Sequence, residues 1–244
     1  MTLAQFLVDA LPPADAFTLD GPEGRHAAAV RRLRVGERLL VADGAGGVAR
    51  CAVTAAGRDT LELSVEERWT EPEPAPRVVV VQALPKGDRG ELAVELATEA
   101  GADAVVPWRA TRCVTKWDDG PRGAKALDRW RKTAREAAKQ SRRARVPDVA
   151  DPVSLRGLLG LVADSALTLV LEAGLSARLA EVDLPASGDI VLVVGPEGGI
   201  APEELDALAG AGARLVRMGP SVLRTSTAAA VALGALGVRT PRWD

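Results

Sequence analysis

Beyond residue 76, apolar residues come in short unbroken runs separated by longer stretches of helical period. The runs predict strands at 77–84, 104–108, 146–149, 167–172, 189–194 and 214–218, and the stretches predict helices at 88–101, 122–143, 154–163, 202–211 and 225–238. Valine and leucine runs without alternation mark strands covered on both faces, and their alternation with helices implies a parallel sheet. Pro202 followed by Glu203 and Glu204 is a good helix start, with proline in the first turn and acids at the positive end of the dipole. The first seventy residues read differently. Segments 38–42, 48–53 and 60–65 alternate apolar with polar positions, separated by the turn signals Asp43-Gly44-Ala45-Gly46-Gly47 and Gly57-Arg58-Asp59. That pattern predicts a small antiparallel sheet or barrel, preceded by a short helix from His26 to Leu33. Between the two regimes, Glu71-Pro72-Glu73-Pro74-Ala75-Pro76 favours an extended, semi-rigid connector. The expected organisation is a domain at 1–71, a Pro-rich linker at 72–76 and a domain at 77–244.

Composition narrows the classes. With 244 residues, 47% apolar and 26% charged, the chain suits one medium domain plus a small one. No apolar run nears the roughly eighteen residues of a membrane span. Met1 to Asp9 lacks a basic start and is interrupted by Asp9, unlike a signal peptide. Cys51 and Cys113 lie far apart, match no metal or redox spacing, and read as reduced thiols. The expectation is a cytoplasmic protein without membrane or metal. His26 is the only histidine, which argues against Ser-His-Asp hydrolysis and zinc chemistry and suits a packing role.

A net charge of −2 argues against a polyanion partner, but the average hides an asymmetry. Between Arg129 and Arg145 stand eight Lys or Arg residues against one acid, Glu136. On a helix, Trp130, Ala134, Ala137 and Ser141 share one face, and Arg131, Arg135 and Arg142 another. Such a run is either a solvated face or a phosphate-binding one. A second patch, Arg31, Arg32 and Arg34, lies in the small domain, and two patches suit a long polyanion. Together with Arg143 these are the candidate polyanion contacts. Trp108 and Trp130 read as core, whereas Trp69, Trp117 and Trp243 leave their roles open.

The chemistry is concentrated near the C-terminus. A buried-strand pattern runs into Gly195-Pro196-Glu197-Gly198-Gly199, and a second runs through Leu215-Val216-Arg217-Met218-Gly219-Pro220-Ser221-Val222-Leu223-Arg224-Thr225 into a small-residue helix. Neither is a Walker or dinucleotide fingerprint. The first loop alone reads equally as a tight turn whose glycines permit positive φ. Two such loops in succession favour a shared pocket where bare backbone grips a flat, polar small molecule.

These two loops, with Ser226-Thr227-Ala228 after the second, resemble the RsmE family of small-subunit (16S) ribosomal RNA uridine-N3 methyltransferases, of the SPOUT class. The resemblance extends through His26 to Gly36, Asp43-Gly44, Lys86-Gly87-Asp88-Arg89, Glu99-Ala100-Gly101-Ala102, Arg112-Cys113, and Gln140-Ser141 to Val146-Pro147. It implies an α/β fold with a trefoil-knotted parallel sheet carrying helices on both faces, plus a small PUA-like β-barrel domain that binds RNA. It also implies S-adenosylmethionine as methyl donor, a homodimer, and small-subunit ribosomal RNA or the assembled subunit as partner. Carried over by position, the cofactor residues are Leu171, Glu172, Ala173, Gly195, Pro196, Glu197, Gly198, Gly199, Ile200, Met218, Gly219, Val222, Leu223, Arg224 and Thr225. Arg224 is the catalytic candidate, because a cation can stabilise the developing uracil anion through its carbonyl oxygens. The chain departs from the family at Ser226, where Glu is common, and in Lys139-Gln140-Ser141-Arg142-Arg143, so Ser226 receives no role. The rival readings are a knotted methyltransferase acting on a ribose 2′-hydroxyl or another RNA, and a non-catalytic RNA-binding homologue.

Overall fold

The computed structural model describes residues 3–243. They fall into two compact units, one comprising the chain up to Glu73 plus Ala138–Val146, the other Pro74–Ala137 plus Pro147 onward.

The first unit is built on β1 (Ala4–Leu7), β2 (Ala16–Leu19), α1 (Gly21–Arg25), β3 (Arg38–Ala42), β4 (Gly47–Ala56) and β5 (Leu61–Thr70). The five strands form one sheet in the order β1-β3-β4-β5-β2. The β1–β3 pair is parallel and the other pairs antiparallel. Alternate residues turn inward, so Leu39, Val41, Cys51, Val53, Leu61 and Leu63 share a core with Phe6 and Leu19. Two features differ from the expectation. The strands β1 and β2 are four residues each, too short to show a period. The helix starts earlier than His26, because Pro22 sets its first turn, and it continues as one π-helical turn, His26–Val30. Arg32, in the left-handed region at φ 56°, ends it before Leu33.

The segment 138–146, expected within the second domain, belongs to the first unit for a local reason. Its backbone makes two hydrogen bonds with the Asp43–Gly47 turn. Gly46 N–H donates to Ala144 O at 3.1 Å, and Val146 N–H donates to Gly44 O at 2.9 Å. Gln5 Nε2 donates to Arg143 O at 2.8 Å, and Ala144 is buried with Leu7, Ala42 and Val48. His26 lies edge-on to Phe6 and receives Lys139 Nζ at 3.0 Å, while Lys139 also pairs with Glu23 at 2.6 Å.

The second unit alternates strand and helix: β6 (Arg77–Ala83), α2 (Arg89–Glu99), β7 (Ala104–Trp108), α3 (Pro121–Gln140), β8 (Asp148–Val149), α4 (Leu155–Asp164), β9 (Leu167–Leu171), β10 (Asp189–Val194), α5 (Pro202–Gly210), β11 (Arg214–Val216) and α6 (Thr225–Gly237). The six strands pair in parallel throughout, in the order β11-β9-β10-β6-β7-β8. Both sheet faces are covered. Val79, Val81, Val170, Val191 and Val193 point to one side with Trp130 of α3, Leu158 of α4 and Leu208 of α5. Val78, Val80, Leu169, Ile190 and Leu192 point to the other with Ala97 of α2 and Ala229, Ala232 and Leu233 of α6. This is why the strands lack alternation in the sequence. The order also places the carboxyl ends of β9, β10 and β11 side by side, though residues 172–188 separate β9 from β10 in the chain and β10 lies between β9 and β6.

Candidate functional site

A cavity of about 550 Å³ opens where β9, β10 and β11 end. Open α/β sheets bind ligands in the crevice beyond the carboxyl ends of their strands. Here β9 and the residues after it supply Leu171 to Leu175, the loop after β10 supplies Val194 to Glu197 with Gly199 and Ile200, and the loop after β11 supplies Arg217 to Thr225. The structure therefore brings together all the residues expected at a shared pocket except Gly198. Gly198 instead faces Arg112, whose Nη1 donates to its carbonyl at 3.2 Å. Ser226, buried in the first turn of α6, does not line the cavity.

The loops are held by a short chain of polar contacts. Gln82, at the buried end of β6, donates from Nε2 to Thr225 Oγ1 at 3.0 Å, and Thr225 Oγ1 donates to Gly195 O at 2.8 Å. The start of α6 is thereby tied to the end of β10 through one hydroxyl. Glycine is required at two points. A Cβ on Gly195 would lie 2.7 Å from Ile200 Cγ1, and Gly199 has φ 72°. Below the loop, the buried Glu204 carboxylate accepts from Thr111 N–H at 2.9 Å, Thr111 Oγ1 at 3.0 Å and Ala201 N–H at 3.2 Å. It closes the N-terminus of α5 and joins it to the β7–α3 connection.

Charge in the cavity is asymmetric. Arg89, Arg217 and Arg224 line it, with the carboxylates Glu172 and Glu197. Glu197 is committed: Lys86 N–H donates to it at 3.0 Å, and Arg89 Nη1 stands 3.9 Å away. Glu172 is half-buried, and burial pushes its carboxyl above the usual range against the opposing pull of the Ala173 N–H and of Arg112. Arg224 occupies the N-cap of α6, where its carbonyl accepts from Thr227 and Ala228 N–H at 3.0 Å each. Its guanidinium is exposed and has no partner among the described residues.

Beyond the individually named candidates the cavity is also lined by Arg89, Gly174, Leu175, Val194, Arg217, Pro220, Ser221 and Ala228. Arg217, Pro220 and Ser221 stand inside the second loop, so the loop itself was the available signal. Arg89 arrives from α2, and only the Lys86–Arg89 segment of the family resemblance points there.

The basic residues are divided between the two units. Arg31, Arg32, Arg34, Arg142 and Arg143 belong to the first unit, Arg131 and Arg135 to the second. Arg142 is not on the helical face expected of it, because α3 stops at Gln140 and Arg142 turns the chain at φ 59°. Arg131 is partly engaged, donating to Val149 O and Asp151 at 3.1 Å each. Trp130, Ala134 and Ala137 form the buried face of α3 as expected, while Ser141 is exposed beyond its end. Trp117 packs edge-on against Trp130 at 4.9 Å.

Comparison with known proteins agrees with this architecture. Residues 71–237 match the RNA methyltransferase domain family, and residues 19–66 match the RNA methyltransferase PUA domain. The solved structure of ribosomal RNA small subunit methyltransferase E from Neisseria gonorrhoeae, bound to S-adenosyl methionine, superposes with a TM-score of 0.83 at 26% identity, covering 98% of each chain. A putative methyltransferase from Legionella pneumophila with bound S-adenosyl methionine gives 0.85 at 26% identity, covering 98% of this chain and 99% of that one. Ribosomal RNA small subunit methyltransferase E of Bacillus subtilis is 34% identical over 93% of this chain and 91% of its own. The protein of that name from Mycobacterium bovis is 54% identical over 100% of this chain and 95% of its own. With that identity along its whole length and both domains matched in order, the chain belongs to the ribosomal RNA small subunit methyltransferase E family.

Proposed function

We propose that this protein transfers a methyl group from S-adenosylmethionine to N3 of a uridine in small-subunit ribosomal RNA. The observation that carries the reading is the cavity at three adjacent parallel strand ends, lined by three glycine-bearing loops. Its volume of about 550 Å³ suits a cofactor of nucleoside size. The residues present fit that group. The lining segments Leu171–Ala173, Gly195–Glu197 with Gly199 and Ile200, and Met218–Leu223 carry main-chain donors and acceptors suited to a purine and a ribose, and Glu197 offers negative charge to a cationic ligand. When bound, the cofactor supplies an electrophilic methyl group on a sulfonium.

The remaining chemistry falls to the chain itself. Much of the rate of an in-line displacement comes from holding nucleophile and methyl group aligned at near-contact distance. The Gln82–Thr225–Gly195 chain fixes two of the three walls for that purpose. Arg224 stands at the rim with an exposed guanidinium, placed to stabilise negative charge developing on the uracil carbonyl oxygens. Arg31, Arg32, Arg34 and Arg142 on the first unit, and Arg131 and Arg135 on the second, position phosphates without reading sequence. Arg143 shares that role. The trefoil knot, a homodimer and a cytoplasmic site of action belong to the same proposal. Leu92 of α2 and Val231 of α6 are exposed apolar side chains on two helices that pack together, and a second copy covering them is consistent with a dimer.

Calorimetry with S-adenosylmethionine, paired with methyl transfer to small-subunit RNA, tests the reading. Heat of binding and labelled RNA are expected. Binding of RNA without cofactor heat would favour the non-catalytic homologue.

A further inference from the structure

The uracil N3–H is a weak acid, so its nitrogen attacks well only as the proton leaves. Among the described residues no histidine or lysine lines the cavity, and the Thr225 hydroxyl is already used between Gln82 and Gly195. Ser221 is exposed, and with no histidine lining the cavity to activate it, it is a poor base. That leaves two carboxylates. Glu197 accepts from the Lys86 amide at 3.0 Å and has Arg89 Nη1 3.9 Å from the same oxygen, and both favour its charged form and make it the weaker base. Glu172 is different. Its main chain is pinned by N–H donation to Val216 O at 3.0 Å, which fixes where the side chain starts. No described side chain hydrogen-bonds or ion-pairs with its carboxylate, which the nearby Ala173 N–H and Arg112 favour in the charged form.

We propose that Glu172 is the proton acceptor of this enzyme, removing the N3 proton of the target uridine as the methyl group is transferred. The inference rests on the function proposed above. As the reaction balances, the N3–H bond breaks and its proton passes to the Glu172 carboxylate. The electron pair left on nitrogen forms the N–CH3 bond, the S–CH3 bond breaks, and its pair neutralises the sulfonium. Glu172 then releases the proton to water.

The environment supports that role. Burial raises the carboxyl, making it a better base than an exposed glutamate, and Arg112 opposes the shift so that it remains ionisable. The other charges lining the cavity are Arg89, Arg217, Arg224 and Glu197. Arg224 and Glu172 thus divide the work, one cation for the oxygens and one carboxylate for the proton.

The test uses the whole chain with Glu172→Gln and Glu172→Asp. Single-turnover methyl transfer in Glu172→Gln should fall about 10²- to 10⁴-fold, the usual worth of a general base. S-adenosylmethionine affinity by calorimetry should stay within about threefold. The acid limb of the wild-type pH–rate profile should disappear, and Glu172→Asp should recover part of the rate. Carboxyl carbon-13 NMR of the ligand-free protein should show a resonance titrating above the ordinary glutamate range that Glu172→Gln removes. Equal loss of affinity and rate would overturn the inference and make Glu172 a cofactor contact. Undiminished rate in Glu172→Gln, with wild type active, would assign the proton to water. A wild type that methylates no RNA would sink the functional reading itself, and the inference with it.

Discussion

Two consecutive residues at the start of α6 carry separable tasks. Arg224 has no carboxylate partner among the described residues, so removing its charge leaves the fold alone. Arg224→Ala is expected to lower turnover about 10²-fold or more while changing cofactor affinity little, as for the removal of a charge stabiliser. Steady-state kinetics beside calorimetry checks this, and equal losses in both would make Arg224 a binding residue only. Its neighbour Thr225 is structural. Thr225→Val removes the acceptor for Gln82 Nε2 and the donor to Gly195 O inside a buried site. Leaving those groups unmatched costs about 1–3 kcal/mol, readable as a shift of the denaturant midpoint. A midpoint unmoved by the substitution would show that the Gln82–Thr225–Gly195 chain holds nothing in place. Residue by residue, the loops at 195–199 and 219–225 were legible because glycine next to a buried strand is a local signal. The Gln82–Thr225 bond was not, since 143 residues separate its ends.

At the scale of elements, the parallel strands were the most legible part of the chain. Burial on both faces leaves no alternation, and β6, β9 and β10 show it as runs of Val and Leu. The short strands β1 and β2 carry no such mark, and their pairing with β3 and β5 is what reveals them. Helix α3 shows where periodicity misleads. Its apolar stripe is real through Ala137, yet the helical pattern in the letters runs on past Gln140, where the chain turns at Arg142. The basic face must therefore be tested within the helix. Replacing Arg131 and Arg135 together by alanine should weaken RNA binding and reduce the salt slope by about 1 for each phosphate the pair no longer neutralises. Filter binding across a salt series reads it. Affinity unchanged at low and high salt would mark the face as merely solvated, with Arg131 serving Val149 and Asp151.

Across the whole molecule, the division into two units follows spatial pairing more than sequence order. The Pro-rich connector is where the sequence changes regime, but Ala138–Val146 returns to the first unit by pairing with the Asp43–Gly47 turn. No local pattern announces a backbone bond between residues as distant in the chain as Gly46 and Ala144. The site, by contrast, lies within one unit, and its three walls come from strands adjacent in the sheet. The central claim is that this cavity directs a methyl group to N3 of a ribosomal uridine. Nucleoside mass analysis of small-subunit RNA from cells with and without the gene tests it most directly. The account predicts an N3-methyluridine present with the gene, absent without it, and restored by the purified protein with S-adenosylmethionine. An unchanged N3-methyluridine content, or loss of a ribose-methylated nucleoside instead, would contradict it.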